Sequence, residues 1–194
     1  MNAARRKQQA GFTLIELIIA TALGVLVMGA LTSVVLTTVL AANTANARIQ
    51  ASSQVRSFQF TAYDDVALAR PPGGPGCGTP ATPCTTQVMI LQGTRVPSAT
   101  GTLGTPSAYT VRYAWDSTAQ VITREALKDA LDPNSQVSRV VATNVTAYSW
   151  YVDTSGAHPT VVVSMTVTVA AYDTIYNESQ TLLFYPRVTA SPGP

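Results

Sequence analysis

From Leu17 to Ala42 the chain carries no charged side chain, and that run limits the folds open to it. It is longer than the roughly 20 apolar residues a helix needs to cross a bilayer. Lipid offers no partner to backbone N–H and C=O groups, so such a segment spans as helix. Met1 to Ala10 precede it as a short, polar, basic stretch with Arg5, Arg6 and Lys7. A basic flank stays on the cytoplasmic side. The expectation is a single-pass protein of the inner membrane, with its N-terminus in the cytoplasm and everything after the span outside. Charge agrees with this division. Removing Arg5, Arg6 and Lys7 takes the formal net charge from +2 to −1. Only 11% of the residues are charged, against roughly 25% in soluble domains. No basic field remains that would point to a nucleic-acid partner.

Three simple explanations of the apolar run compete. A secretory signal peptide has an apolar region of about 7–15 residues, roughly half of this one, although Ala45-Asn46-Ala47 has the small residues of a cleavage site. Arg5-Arg6 suggests a twin-arginine export signal, but the flanking residues of that motif are missing. An ordinary anchor explains the length and leaves Glu16 unexplained. An ionised carboxylate at membrane depth costs on the order of 2.5–3.5 kcal/mol or more and normally has a partner. None is visible near Glu16 in the uncut sequence. A cut between Gly11 and Phe12 would create an α-ammonium about one helical turn away, roughly 6 Å along the axis. Negative charge in a first turn also suits the helix dipole.

A basic leader ending in Gly11, followed by Phe12-Thr13-Leu14-Ile15-Glu16-Leu17, closely resembles the class III signal of type IV pilins and type II secretion pseudopilins. The resemblance implies that a prepilin peptidase cuts after Gly11 and N-methylates Phe12. It implies that Glu16 takes part in methylation and in registering a new subunit against its neighbour. The implied partners are that peptidase, major and other minor pilins or pseudopilins, a membrane assembly platform and the lipid bilayer.

No proline occurs between Phe12 and Arg70, so a helix is expected across that whole stretch. Ala20 and Gly24 form a small-xxx-small pair that lets helices approach closely. Beyond the span, Val55, Phe58, Ala62, Val66 and Ala69 recur at spacings of three and four, the stripe of a helix laid on a core. Arg48, Gln54, Arg56, Gln59 and Asp65 fall mostly off it. Asp64-Asp65 reads as a solvated helix face rather than a cation site. The expected organisation is a cleaved leader at 1–11, a membrane and filament-core helix at 12–42, its amphipathic continuation at 43–70, and an extracytoplasmic head at 71–194.

Arg70-Pro71-Pro72-Gly73-Gly74-Pro75-Gly76 ends the helix. Cys77 and Cys84 follow in a loop of Gly, Pro and Thr. A cysteine pair in an extracytoplasmic loop reads as a local disulfide. A zinc site would need two further ligands, and His158 is distant. Gln87 to Gln92 is a short apolar run expected as a strand, and Pro97 to Pro106 is expected as a loop. Tyr109, Val111, Tyr113 and Trp115 alternate with Thr110, Arg112 and Ala114, and Gln120 to Arg124 is positioned to return as a hairpin. Val140 to Asp153 reads as another strand region. Val161 to Val169 alternates most regularly, and Thr181 to Tyr185 can close the sheet. The fold class is α+β: a long N-terminal helix, membrane-spanning and then amphipathic, on an antiparallel β-sheet head. The layout, with Arg124-Glu125 and Asn144-Val145-Thr146 ahead of a final antiparallel pair, is similar to J-type pseudopilins and W-type minor pilins.

No catalytic motif or metal-ligand spacing is present, and no cofactor is implied. The sequence points to a structural subunit, a minor pilin or pseudopilin of a type IV pilus-like or type II secretion filament. The alternative is a filament-tip binding module for a surface, a secreted substrate or DNA. Its contact loops would be Gly73 to Thr86 and Pro97 to Pro106.

Overall fold

The computed structural model describes residues 12–73, 76–95, 98–99, 102–103, 107–129, 138–172 and 174–187. The chain divides into two compact units, Met1–Asn43 and Thr44–Pro194. One long helix, α1, spans Leu14–Ala67. Among the described residues ten strands follow: β1 (Ala69–Arg70), β2 (Met89–Arg95), β3 (Ser98–Ala99), β4 (Thr102–Leu103), β5 (Ser107–Asp116), β6 (Val121–Asp129), β7 (Ser138–Ala142), β8 (Val145–Asp153), β9 (Thr160–Ala171) and β10 (Thr174–Phe184). All strand pairs are antiparallel, so the protein is α+β as the sequence indicates.

In the first unit the described residues are exposed up to Ala42 and, apart from Glu16, uncharged. By length and composition α1 is able to cross a membrane. Its hydroxyls do not oppose that. Thr21, Thr32, Thr37 and Thr38 each donate to a carbonyl three or four residues back, at 2.7–3.0 Å, which removes their need for water. Gly24 and Gly29 have nothing within 4 Å of an added Cβ, so neither is required by a contact inside this chain.

The second unit is the head. Its helical part buries Val55, Phe58, Ala62 and Val66, as expected from spacing, and extends the stripe back to Ala51 and Ala47. The alanines bring the helix backbone close to the strands. Phe58 joins both large sheets, meeting Tyr113 of β5, Tyr148 of β8 and Phe184 of β10 edge-on, with centroids 5.7, 6.2 and 6.5 Å away. Such edge-on pairs add about 0.5–1.5 kcal/mol beyond burial.

The sheets are a five-stranded one in the order β1-β2-β5-β6-β7 and a three-stranded one in the order β10-β9-β8, with β3 and β4 paired separately. Tyr109, Val111 and Tyr113 of β5 are buried as expected, as are Val161, Val163, Met165, Val167 and Val169 of β9, where Val162 on the other face is buried as well.

Three details of the helix and the two larger sheets differ from the sequence expectation. The helix ends at Ala67 and not at Arg70, because Ala69–Arg70 pairs with Gln92 and Gly93 as β1. Pro71 explains this, since the residue before a proline is pushed toward extended conformations. Gly93 is fitted to the same place: a Cβ there would collide with the Leu68 carbonyl oxygen and the Tyr109 ring. The second difference is that Val140 to Asp153 is two strands in two sheets. Asn144 between them has φ 59°, a left-handed conformation that asparagine tolerates. Alternation of side chains cannot reveal a one-residue reversal of this kind. The third is that β10 begins at Thr174, well before Thr181, because its exposed Asn, Ser and Thr positions conceal the strand.

Candidate functional site

The start of α1 is built by three residues. Phe12 is 88% exposed. Thr13 caps the helix: the Glu16 N–H donates to Thr13 Oγ1 at 3.3 Å. In return Glu16 Oε2 accepts from the Thr13 N–H and from the Thr13 hydroxyl, both at 3.2 Å. The first helical bond runs from Leu17 N–H to Thr13 O at 3.2 Å. This is a reciprocal capping box, and it corrects the expectation that Glu16 has no local partner. The signal was present as Thr-x-x-Glu ahead of an apolar run. Gly11 and the basic leader lie outside the described residues. The carboxylate is therefore held at the helix end, one residue-turn from Phe12, where the dipole favours negative charge.

Cys77 and Cys84 are joined as a disulfide, with Cα atoms 5.1 Å apart. The loop they close has a definite task in the fold. Cys84 pairs with Trp150 of β8 through two backbone hydrogen bonds of 2.8 and 2.9 Å, and the Val152 N–H donates to the Gly78 carbonyl at 2.9 Å. Gly78 has φ +96°, and its Cα side faces the Trp150 ring. The Trp150 indole N–H donates to the Gln87 carbonyl at 3.0 Å. The disulfide loop thus covers the β8 edge of the three-stranded sheet. The second candidate contact segment, Pro97 to Pro106, is not the plain loop expected: its described residues form the antiparallel pair β3–β4 (Ser98–Ala99 with Thr102–Leu103), and the rest lies outside the described residues.

A third cluster was not anticipated. Asp65, expected on a solvated face, is 1% exposed. Its carboxylate accepts from Arg124 Nε at 2.7 Å, Arg124 Nη2 at 3.0 Å and the Tyr113 hydroxyl at 2.6 Å. Its backbone carbonyl accepts from the Tyr109 hydroxyl at 2.6 Å. Burial, and then the Asp65 charge, push the Tyr113 hydroxyl well above the usual tyrosine range. The hydrogen bonds it donates to Asp65 hold the Arg124 guanidinium more firmly protonated than usual. This arrangement acts as a clamp between helix and sheet. Asp64, its neighbour, stays exposed.

His158 lies exposed in the turn between β8 and β9. Among the described residues no group of three His, Cys, Asp or Glu is placed to hold a metal ion.

A family described as "Prokaryotic N-terminal methylation motif" matches residues 6–32. The match covers the leader and the first part of α1 and stops before the head. No curated protein and no solved structure matches the chain. The methylation motif, which runs into the start of a long helix followed by antiparallel sheets, is consistent with a type IV pilin-like precursor.

Proposed function

We propose that this chain is a minor pilin or pseudopilin: a structural subunit inserted in the membrane, cut after Gly11 by a prepilin peptidase, N-methylated at Phe12, and assembled through α1 into a filament. The observation that carries this is the methylation motif over residues 6–32 with Glu16 held at the start of an apolar helix. In the membrane the uncharged stretch satisfies its own backbone and hydroxyl groups. In the filament it exchanges lipid contacts for contacts with neighbouring helices, which small residues such as Ala20 and Gly24 permit. Glu16 then stands one turn from the new α-ammonium of its own chain or faces that of a neighbour. An apolar filament core strengthens such an ion pair relative to water.

The role is structural. The buried groups of Asp65, Arg124, Tyr109 and Tyr113 hold helix to sheet, and the disulfide loop covers an edge. A tip-binding role for the loops has no comparable support, because the Cys77–Cys84 loop is spent on the fold.

The deciding experiment is intact mass and N-terminal peptide mass spectrometry of membrane-extracted protein. A chain beginning at N-methylated Phe12 is expected. A chain beginning at Met1, or near Arg48, would leave a plain anchor or an ordinary signal peptide and remove the filament assignment.

A further inference from the structure

The two ends of the three-stranded sheet differ in chemistry. Strand β10 runs in the same direction as the helical part of the head. The Arg48 guanidinium lies 5.5 Å from the centre of the Tyr176 ring, Ser52 donates to Glu178 at 3.0 Å, Phe58 meets Phe184 and the Arg187 N–H donates to the Ala67 carbonyl. The turn between β9 and β10, just before Tyr176, is therefore at the end where the chain enters the head. The turn between β8 and β9 is at the opposite end, since Val161 pairs with both Val152 and Phe184. That far turn, Asp153-Thr154-Ser155-Gly156-Ala157-His158, carries no large apolar side chain. The near turn carries Tyr172 and Ile175, 88% and 70% exposed. No large apolar side chain among the described residues of the head is more exposed than Tyr172. Asp173, between them in the sequence, lies outside the described residues.

The head begins at Thr44, two residues after the apolar run ends at Ala42. Arg48, exposed, is the first charged residue after that run and stands one helical turn past Thr44, about 6 Å. The β9–β10 turn precedes Tyr176, the partner of Arg48, by about 10 Å of strand. These two lengths bring Tyr172 and Ile175 to the level of Thr44, where the head is tied to the span. A headgroup layer is about 5–8 Å deep on each side of a bilayer, so side chains this close to the tether are within reach of it. We propose that the β9–β10 turn is a second membrane contact, with Tyr172 and Ile175 entering the boundary between lipid headgroups and acyl chains and Arg48 meeting the headgroup phosphates. Tyrosine suits that boundary because its ring is apolar and its hydroxyl is wet. Ile175 leaves water there. The contact is weak by itself and is made effective by the covalent tether, which holds the turn at high local concentration beside the lipid. It rests on the membrane insertion proposed above and adds what holds the head against the bilayer before assembly.

Depth-dependent quenching on the full chain in phosphatidylcholine–phosphatidylglycerol vesicles tests it. Cys77 and Cys84 are paired, so an introduced cysteine is the one thiol open to an environment-sensitive nitrobenzoxadiazole label. Tyr172→Cys and Ile175→Cys labels are expected to lose fluorescence to lipids carrying a nitroxide at the headgroup or high on the acyl chain. A Ser155→Cys label, in the far turn, should lose little. A Leu31→Cys label, inside the apolar run, should be quenched by a nitroxide deep in the acyl chains. If the Leu31→Cys label is quenched and the two turn labels lose no more than the Ser155→Cys label, the head contact is overturned and the insertion stands. If the turn labels are shielded from aqueous iodide but not quenched by lipid, a second copy covers the turn and the proposal fails. If the Leu31→Cys label is itself unquenched, membrane insertion falls and this contact falls with it.

Discussion

Arg124 on β6 holds Asp65 on α1 with two nitrogens at once, Nε at 2.7 Å and Nη2 at 3.0 Å, and both side chains are nearly removed from solvent. The fork geometry of a guanidinium matches a carboxylate in a way that lysine cannot. Tyr113 adds a third bond to the same carboxylate and Tyr109 binds the carbonyl of the same residue. Strands β5 and β6 are thereby fixed to the last turns of the helix at one residue. Burying such ions is costly, so the pair adds little net stability over an apolar equivalent but makes a broken pair expensive.

Arg124→Met is therefore expected to destabilise the head by about 3–5 kcal/mol. The triple change Asp65→Leu, Arg124→Met and Tyr113→Phe, which removes the whole polar set, is expected to recover most of that loss. Urea unfolding followed by the fluorescence of Trp115 and Trp150 measures both. A single variant within about 1 kcal/mol of the parent would mean that the pair behaves as a surface salt bridge.

Asp65 also marks the limit of what was legible in the sequence. The apolar stripe from Val55 to Val66 was read correctly because burial of alkyl and aromatic groups repeats with the helix period. Asp65 lies beside that stripe, and nothing local distinguishes it from Asp64. Its partner is 59 residues away, on a strand whose register no period reveals. Glu16 is the opposite case: its partner Thr13 is three residues away, and a capping box was there to be recognised. The α+β class and the strands β5 and β9 came from alternation alone. The split of β7 from β8 did not, because it depends on one left-handed asparagine.

Tyr148 is fully buried beside Phe58 and Trp115, and its hydroxyl has no hydrogen-bond partner among the described residues. An unsatisfied buried hydroxyl costs about 1–3 kcal/mol. Tyr148→Phe is expected to keep or raise stability by about 1 kcal/mol, measured by the same unfolding experiment. A loss of more than about 1 kcal/mol would mean that the hydroxyl is bonded in solution.

Alkaline pH acts on the same residues. Burial raises the folded-state pKa of Tyr148, and burial together with Asp65 raises that of Tyr113. Unfolded tyrosine titrates near pH 10. Below that value both states hold the proton and stability is unaffected. Above it the unfolded state releases protons that the folded state keeps, so stability falls by roughly 1.4 kcal/mol per pH unit for each tyrosine. The head is expected to lose stability from about pH 10 upward, and Tyr148→Phe should reduce the slope by about half. A slope unchanged by that substitution would remove Tyr148 from the cause.

The Cys77–Cys84 bridge closes a short loop, and short loops of this size contribute about 2–3 kcal/mol. Replacing both cysteines by serine is expected to cost about that much and to uncover the β8 edge at Trp150. Amide hydrogen exchange at Trp150 and Val152, whose N–H groups bond to the loop, should then accelerate more than exchange within β9. Uniform acceleration across the sheet would mean that the loop stabilises the head only as a whole. Free thiols titrated in protein taken from outside the membrane without reductant would contradict the bridge itself.

Glu16 has two physical roles that substitutions can separate. As a capping residue it bonds to Thr13, a contribution of about 1 kcal/mol, and glutamine can replace it in that role. As an ion it would pair with the α-ammonium of Phe12 in a filament, and glutamine cannot replace it there. Thr13→Ala weakens the cap and keeps the charge, whereas Glu16→Gln keeps the cap and removes the charge. If the charge governs assembly, Glu16→Gln and Glu16→Ala should both be processed at Gly11 yet enter filaments poorly, while Thr13→Ala enters them nearly as the parent does. Quantifying mature subunit in sheared filaments against the membrane fraction reads both steps. Normal incorporation of Glu16→Gln alongside poor incorporation of Thr13→Ala would reverse the assignment, making Glu16 a helix cap whose ionisation is irrelevant to assembly.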